Sequence, residues 1–202
     1  MEPCDRGYGV ALVTGAGSGI GQAVAVRLAR LGARVVITDV SDKGIDETQT
    51  LIAAAGGTAI GQRLDVTDPA SVDAAFAAAE AWDKTVDILV NNAGIATLHP
   101  FLDYPVEDWS RVMAVNVTGS LLCAQRAGRA MLRQGYGRIV NIASVSGIRA
   151  GVGRTAYGTS KAAMIGLTRQ IALELAPHGV TANAVAPGAI LTPLTQAFYT
   201  KE

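Results

Sequence analysis

Short apolar runs alternate with longer helical segments along the chain, and this alternation constrains the fold more than any other feature. The runs are rich in Val, Ile and Leu, and they predict strands at 10–14, 33–40, 58–66, 86–94, 137–144 and 180–187. The intervening segments predict helices at 19–32, 43–56, 68–83, about 107–134 and 157–176. Strands that are apolar on both faces and separated by helices indicate a parallel sheet covered by helices on each side. Right-handed crossovers then give an α/β fold with a single doubly wound parallel sheet.

Length and charge narrow the functional classes. The 202 residues suit one domain that spans 1–202. Seventeen basic residues balance seventeen acidic ones, so no electrostatic footprint for nucleic acid or an anionic membrane is visible. The opening "MEPCDRGYGV" lacks the features of a signal peptide, and no apolar run approaches the roughly 18 residues of a membrane span. We therefore expect a cytoplasmic protein, and the two distant cysteines, Cys4 and Cys123, predict neither a disulfide framework nor a metal site.

A glycine-rich segment, "TGAGSGIG" at 14–21, joins the first predicted strand to the first helix. Glycines there permit a tight turn, a close approach of the backbone to a pyrophosphate, and close packing of helix on strand. The helix N-terminus adds N–H groups and the positive end of the helix dipole. A glycine loop alone is weak evidence, and a purely structural turn is its rival. Its place after the first strand of an alternating pattern favours a dinucleotide site.

An acidic residue closes the second predicted strand. Asp39 follows the glycine loop at the interval where a carboxylate can accept hydrogen bonds from both ribose hydroxyls of a dinucleotide. The same carboxylate would repel a 2′-phosphate, and no arginine follows within "VSDKG". Arg34 begins the strand and should lie at the opposite end of the sheet. Asp39 could also be a simple turn residue, but together these features favour NAD over NADP.

The motifs taken together resemble the short-chain dehydrogenase/reductase family along nearly the whole chain. "TGAGSGIG" is similar to that family's TGxxxGxG, "NNAG" (91–94) to its fourth-strand motif, and "YGTSK" (157–161) to its YxxxK. Ser144 precedes Tyr157 at the family's usual interval, Asn116 lies in the long helix, and "PGAILTP" (187–193) resembles the family's PGxxxT loop. The resemblance implies a Rossmann-fold NAD(P)-dependent oxidoreductase.

The resemblance assigns catalytic roles to four residues: Asn116, Ser144, Tyr157 and Lys161. Tyr157 would exchange a proton with the substrate oxygen, Ser144 would hydrogen-bond that oxygen, and Lys161 would grip the nicotinamide ribose. Asn116 would position a water that links Lys161 to solvent. Residues four apart share a helix face, so Tyr157 and Lys161 can point into one cleft. We expect the ammonium and the oxidised nicotinamide to depress the tyrosine pKa from its usual value of about 10.

The resemblance also implies a set of cofactor-binding residues along the whole chain. They are Gly15, Ser18, Gly19, Ile20, Gly21, Asp39, Asp65, Val66, Asn92, Ala93, Gly94, Tyr157, Lys161, Pro187, Gly188, Ile190 and Thr192.

The substrate is constrained less tightly than the cofactor. The candidate walls are small and apolar, which suits a secondary alcohol or its ketone, and the local likeness is to members that act on sugar alcohols and small ketones. His99 could line the pocket; Arg149 and Arg154 could recognise an anionic group, although exposed loop arginines are commoner. One alternative is a 3-oxoacyl-thioester reductase that uses NADPH, and another is a catalytically silent dinucleotide-binding regulator.

Assembly and length raise two further expectations. The helices at about 107–134 and 157–176 carry small and apolar residues on a second face, including Ala127, Gly128, Ala163 and Gly166. A second apolar face requires a second partner, so we expect a homodimer or homotetramer. Family members continue for some fifty residues beyond "TQAFYTKE", so the C-terminal part is apparently missing here. Without it, we expect the last three strands to be uncovered on one face.

Overall fold

The computed structural model describes residues 8–83 and 85–199, so that Cys4 lies outside it. The described strands are β1 (Val10–Thr14), β2 (Arg34–Asp39), β3 (Thr58–Arg63), β4 (Val86–Asn91), β5 (Gly137–Ile142) and β6 (Val180–Val185). The described α-helices are α1 (Gly19–Arg30), α2 (Asp42–Ala54), α3 (Pro69–Trp82), α4 (Val106–Met113), α5 (Ser120–Gln134), α6 (Thr155–Leu175) and α7 (Pro193–Tyr199).

The strands form one parallel sheet in the order β3-β2-β1-β4-β5-β6, which confirms the doubly wound α/β prediction. The order reverses at β1, whose neighbours are β2 on one side and β4 on the other. The loops that leave β1 and β4 therefore diverge to opposite faces of the sheet. They open a crevice at the carboxyl edge, where ligands bind in sheets of this kind.

Each face of the sheet carries its own apolar core. On one face α3 and α5 contribute Phe76 and Met131, which pack against Leu12 and Leu89. On the other face α1 and α2 cover Val13, Ile37 and their neighbours. The residues that mark the ends of these helices act as expected. The Asp68 side chain accepts from the Ala70 N–H with Pro69 at the first helical position, and α5 ends at Gly135, whose φ of +66° is left-handed.

The long helix predicted at about 107–134 is interrupted. α4 ends at Met113, the backbone runs through a π-helical segment from Ala114 to Gly119, and α5 begins at Ser120. The Asn116 carbonyl accepts a hydrogen bond from the Ser120 hydroxyl within this segment. The irregular turn brings the fully buried Asn116 side chain towards the loop that follows β4, as described below.

The sheet's edges differ from the prediction in two respects. β3 ends at Arg63 rather than at 66, because the Asp65 carboxylate accepts hydrogen bonds from the Thr67 N–H and hydroxyl and turns the chain. β3 is an edge strand with no fully buried residue, so it is not apolar on both faces as predicted. β6 exposes Thr181, Asn183, Ala184 and Val185, as expected for an uncovered face. Val90 of β4 and Ile142 of β5 are buried in the core of the α1 and α2 face, so the exposure predicted for all three strands is found mainly in β6. α7 was not predicted.

Candidate active site

The glycine loop between β1 and α1 is packed too closely for side chains. A Cβ at Gly21 would lie 2.2 Å from the Gly15 carbonyl oxygen, and one at Gly15 would lie 2.8 Å from the Ala93 Cα. Gly15 and Gly19 also have left-handed φ angles of +62° and +56°. The loop therefore runs directly against the β4 loop and presents backbone at the start of α1, as the sequence predicts for a phosphate-binding turn.

The carboxylate of Asp39 is fixed at the carboxyl end of β2. One oxygen accepts the Gly17 N–H at 2.9 Å and the other accepts the Ser41 N–H at 3.0 Å. A Cβ at Gly17 would lie 2.9 Å from this carboxylate, so glycine is needed for the contact. Arg34 lies at the other end of the strand, where it pairs with Asp83 at 2.6 Å. These placements agree with the prediction for both residues.

An open cleft of about 890 Å³ runs along this edge of the sheet. Its walls include Gly15, Ser18, Gly19, Ile20, Asp39, Asp65, Val66, Asn92, Ala93, Gly94 and Thr192, all of which were predicted to bind cofactor. The other six predicted cofactor-binding residues do not line it: Gly21, Tyr157, Lys161, Pro187, Gly188 and Ile190. Gly21 packs under the glycine loop, the Pro187 carbonyl accepts the Val145 N–H, and Ile190 is partly exposed.

Thr14 organises the meeting point of the two loops, and sequence reasoning missed it. Its hydroxyl accepts the N–H groups of Asn92 and Ala93, each at 3.0 Å, while the Asn92 amide donates to the carbonyls of Thr14 and Gly15. A threonine at the end of the first strand is compatible with simple β propensity, so the sequence contains no stronger signal. These bonds fix the floor of the cleft.

A second, smaller pocket of about 140 Å³ contains the predicted reaction residues Ser144 and Tyr157 together with Gly188. Ser144 follows β5 and is only 8% exposed, and its hydroxyl accepts the Ser146 N–H at 3.1 Å. Tyr157 lies in the first turn of α6. The spacing of Ser144 and Tyr157 therefore brings both side chains to one pocket, although they belong to different elements.

Burial dominates the pKa of Tyr157 in the protein without cofactor, and its lowering by an oxidised nicotinamide stays a prediction. Burial raises it, and the Ser144 hydroxyl and the charge of Arg154 lower it by less. Burial disfavours the phenolate, which is the charged form. In the protein without cofactor, Tyr157 is thus a neutral phenol that holds its proton.

Lys161 lies one helical turn after Tyr157 and is 4% exposed. Its Nζ donates to the Ile142 carbonyl at 2.7 Å and lies 5.7 Å from the centre of the Tyr157 ring. Burial lowers the pKa of Lys161 to about 8. A Cβ on Gly94 would come within 3.5 Å of Nζ, so this glycine keeps the ammonium close to the large cleft.

Asn116 connects the β4 loop to α6. Its amide nitrogen donates to the Ile95 carbonyl and to the Ser160 hydroxyl, and its amide oxygen accepts the Ile95 N–H at 2.9 Å. Ser160 in turn donates to the Tyr157 carbonyl. The side chain of Asn116 is therefore committed to protein groups, and its contacts hold in register the two segments that carry the predicted site.

Of the arginines near the clefts, Arg63 was given no role from the sequence, and Arg154 was offered only as a residue that could recognise an anionic group. Arg63, at the end of β3, donates to the Val40 carbonyl and approaches the Asp42 carboxylate at 3.4 Å, so an arginine does lie beside the Asp39 turn. Arg154 lines the small pocket. Both reach their sites from elements that are distant in sequence or from a loop, and no local pattern announces this.

His99, His178 and Cys123 do not line either cleft. The His99 ring bonds to the Asp108 carboxylate at 2.6 Å, and the His99 backbone N–H donates to the Gly153 carbonyl. Ala96 and Leu98 line the small pocket, whereas His99 does not. His178 closes the turn after α6. Cys123 is fully buried, and burial raises the pKa of its thiol to about 12. Within the described residues there is no cluster of three potential metal ligands, and no helix has the length and apolar character needed to cross a membrane.

Comparisons with known proteins agree on one family. A model of the short chain dehydrogenase family matches residues 9–202. The short-chain reductase protein NovJ of Streptomyces niveus is 45% identical over 92% of this chain and 70% of its own length. A 3-oxoacyl-[acyl-carrier-protein] reductase of Synechocystis sp. is 43% identical over 93% of this chain and 76% of its own. The crystal structure of an NAD+-bound xylitol dehydrogenase superimposes with a TM-score of 0.88 at 38% identity, covering 91% of this chain and 71% of that one.

Proposed function

The chain belongs to the short-chain dehydrogenase/reductase family and is an NAD(P)-dependent oxidoreductase acting on CH–OH groups, and we propose that its cofactor is NAD. Its reaction is hydride transfer between a nicotinamide cofactor and an alcohol or ketone. We further propose that the substrate is a small secondary alcohol or ketone and that Ser144, Tyr157, Lys161 and Asn116 form the reaction site. The observation that carries this proposal is the convergence of Ser144 and Tyr157 in one small pocket.

The large cleft suits a dinucleotide. At Gly15, Gly17 and Gly21 the loop backbone lies very close to neighbouring atoms. A Cβ at any of these positions would displace those atoms and distort the loop that lines the cleft. The start of α1 points N–H groups into the cleft, which favours a pyrophosphate. When bound, the nicotinamide would supply or accept the hydride.

The preference for NAD rests on the carboxylate of Asp39. Its two backbone hydrogen bonds hold it in place, where it can accept from ribose hydroxyls and repel a 2′-phosphate. Arg63 is the feature that would favour NADP, because its guanidinium lies beside Val40. However, Arg63 already contacts the Val40 carbonyl and the Asp42 carboxylate, so part of its donor capacity is used.

In reduction, Tyr157 would donate its phenolic proton to the carbonyl oxygen, and in oxidation it would take the proton of the alcohol. Burial keeps the phenol protonated before the cofactor binds, and the Lys161 ammonium and an oxidised nicotinamide would lower its pKa towards the operating pH, where acid and base catalysis is most efficient. Ser144 would hydrogen-bond the same oxygen and orient it. Lys161 would bind the nicotinamide ribose and, as a cation beside the phenol, stabilise the phenolate when it forms.

Asn116 would act as a positioning residue. Its side chain ties the Ile95 backbone to Ser160, and Ser160 bonds to the Tyr157 carbonyl. This connection fixes the start of α6 relative to the floor of the cleft. The water relay implied by the family resemblance would have to use a group of Asn116 other than its amide nitrogen, whose donors are both engaged.

A 3-oxoacyl-thioester reductase remains the second candidate, because one of the relatives described above carries that activity in its name. Its preference for NADPH would conflict with Asp39. A silent regulator is disfavoured because Ser144, Tyr157 and Lys161 are all present and convergent.

The test is turnover by Tyr157→Phe, measured at the NADH absorbance band with a panel of secondary alcohols and ketones. We expect a loss of about 10²- to 10⁴-fold with little change in cofactor affinity, because the ring remains and only the proton donor is lost. Tyr136→Phe is the matched control, since Tyr136 stacks on Arg138 away from both pockets. A Tyr157→Phe rate above about a tenth of the wild-type rate would exclude Tyr157 as the acid and base.

We also propose that α5 and α6 pair with a second copy of the chain. Ala127 and Gly128 do not belong to the exposed face as we had predicted, because Ala127 is fully buried and Gly128 lies against Leu175 of the same chain. Gly166 on α6 does face open space, and Leu132 and Leu173 are exposed. The outer faces of the two helices therefore keep apolar surface that two-fold pairing would cover.

A further inference from the structure

Arg154 lies at the entrance of α6, one turn before Tyr157, and its side chain is held in one direction. The Arg154 backbone N–H donates to the Gly151 carbonyl at 3.3 Å, and the Arg154 carbonyl accepts from the Gly158 N–H at 2.7 Å. A Cβ at Gly151 would lie 3.1 Å from the Arg154 Cδ, so the aliphatic stem packs on that glycine. One guanidinium nitrogen donates to the Ser146 hydroxyl at 3.2 Å. The side chain therefore lies along the wall of the small pocket rather than extending into solvent.

The charge of Arg154 has no counter-ion among the residues that the structure describes. Arg126, by comparison, forms a bidentate pair with Glu80 and approaches Asp73 at 3.5 Å. The remaining lining residues of the small pocket are all uncharged: Ala96, Leu98, Ser144, Val145, Ser146, Tyr157, Gly188, Ala189 and Thr195. The guanidinium carries five N–H donors, and its hydrogen bond to Ser146 uses only part of them.

The size of the pocket limits how far an anion could lie from the reacting carbon. The pocket volume is about 140 Å³, below the roughly 300–1,000 Å³ of pockets that hold drug-sized ligands, so the pocket suits a small molecule. Ser144 and Tyr157 line the same small space as Arg154. A small substrate whose carbonyl meets Tyr157 can therefore present a nearby anionic group to Arg154.

We infer that the substrate is a short ketone or secondary alcohol that carries a carboxylate, and that Arg154 binds the carboxylate while Ser144 and Tyr157 hold the reacting oxygen. This inference rests on the function proposed above. The planar guanidinium can grip a carboxylate through two parallel hydrogen bonds, which also fixes the orientation of the adjacent carbonyl. In reduction, the carbonyl carbon accepts the hydride from the reduced nicotinamide, its oxygen takes the Tyr157 proton, and the carboxylate is unchanged.

The alternative is that Arg154 only fastens the 145–154 loop through Ser146. If Arg154 only held this loop in place, its loss would change kcat/KM for charged and neutral substrates alike. If it binds a carboxylate, its loss would change kcat/KM for the charged substrate more than for the neutral one. The comparison therefore needs two ketones of equal shape and different charge, namely 3-oxobutanoate and its neutral isostere 3-oxobutanamide.

The experiment measures kcat/KM for both ketones in the wild-type protein, in Arg154→Met and Arg154→Lys, and in Arg149→Met as the matched loop control. We expect the wild-type protein to prefer the acid, and Arg154→Met to reduce the acid-to-amide ratio by about 10- to 100-fold, the usual range for a lost charged hydrogen bond. Arg154→Lys should keep part of the preference, and Arg149→Met should keep all of it. A wild-type preference for the amide, or an unchanged ratio in Arg154→Met, overturns the inference.

Equilibrium binding separates this inference from the proposed function. Calorimetry with 3-hydroxybutanoate and 3-hydroxybutanamide, in the presence of NAD, gives the same ratio without turnover. If no ketone is reduced but the acid binds at least tenfold more tightly and Arg154→Met abolishes the difference, the proposed activity fails and the anion site stands. If both ketones are reduced equally well, the activity stands and the anion site fails.

Discussion

The buried ammonium of Lys161 makes the stability of the protein depend on pH in a way that can be measured. Lys161 is 4% exposed, and burial lowers its pKa from 10.5 to about 8. Its Nζ donates to the Ile142 carbonyl, but no described carboxylate forms an ion pair with it. The folded state therefore disfavours the charged form relative to the unfolded chain, and Lys161→Met removes this penalty together with its titration.

The sign and size of this pH dependence follow from the pKa values of Lys161 in the unfolded and folded states. Below pH 8 the lysine is protonated in both states, and the folded state bears the full desolvation penalty. Between pH 8 and 10.5 the unfolded chain binds more protons, so the free energy of unfolding rises with pH. At about 1.4 kcal/mol per pKa unit, the lowering of the pKa from 10.5 to about 8 corresponds to about 3 kcal/mol, most of which is regained by pH 10.

Urea unfolding without cofactor at pH 7 and pH 10 tests this reasoning. We expect the free energy of unfolding of the wild-type protein, minus that of Lys161→Met, to be about 2–3 kcal/mol more favourable at pH 10 than at pH 7. Groups common to both proteins largely cancel in this difference; Tyr157, whose raised pKa acts in the opposite sense above pH 10, is one of them. Lys43→Met is the control, because Lys43 is exposed and its removal should leave the difference flat. A flat difference for Lys161→Met would refute the burial argument.

Two further predictions concern the cofactor and the assembly. Asp39→Ala combined with Ser41→Arg should shift the NADP-to-NAD affinity ratio towards NADP by at least about tenfold, because a repelling charge is replaced by an attracting one; tighter binding of NADP by the wild-type protein in a fluorescence titration would contradict the assignment. Gly166→Arg should convert a dimer or tetramer into a smaller species in sedimentation velocity at micromolar concentration, because a side chain at Gly166 meets open space within one chain; a wild-type monomer would overturn the proposed pairing.

The parts of the fold that follow a local pattern were predictable. β1, β4 and β5 combine buried apolar residues with turns at defined positions, and α3 begins where Asp68 and Pro69 place it. The interruption of the long helix at 114–119 was not predicted, because a helical period alone does not locate a π-helical segment. The burial of β3 was overestimated, since the position of a strand within a sheet is decided by strand order and not by its own composition.

The candidate active site likewise has parts that the sequence predicts and parts that it does not. Asp39, Gly15 and Gly94 line the large cleft because each follows a strand at the carboxyl edge, which the order of elements already implies. The burial of Tyr157, which raises its pKa in the protein without cofactor, could not be inferred, since spacing indicates neighbouring charges but not the extent of burial. Arg154 was left among exposed loop arginines because its direction depends on packing against Gly151, which no sequence period records.

The strand order also sets the sequence in which the sheet can be completed as the chain is synthesised. Val10 pairs with Arg34, which follows soon after it in the chain, and also with Val86, which follows much later. β1, β2 and β3 can therefore pair with strands that are near in the chain, as can β4, β5 and β6. Within the sheet, the two halves are joined only by the pairing of β1 with β4. Chains emerge at about 5–20 residues per second, so β1 waits roughly 4–15 s for its second neighbour. The hydrogen bonds that the Thr14 hydroxyl accepts from the Asn92 and Ala93 N–H groups cross that same junction, so dinucleotide binding reports that this long-range pairing has formed.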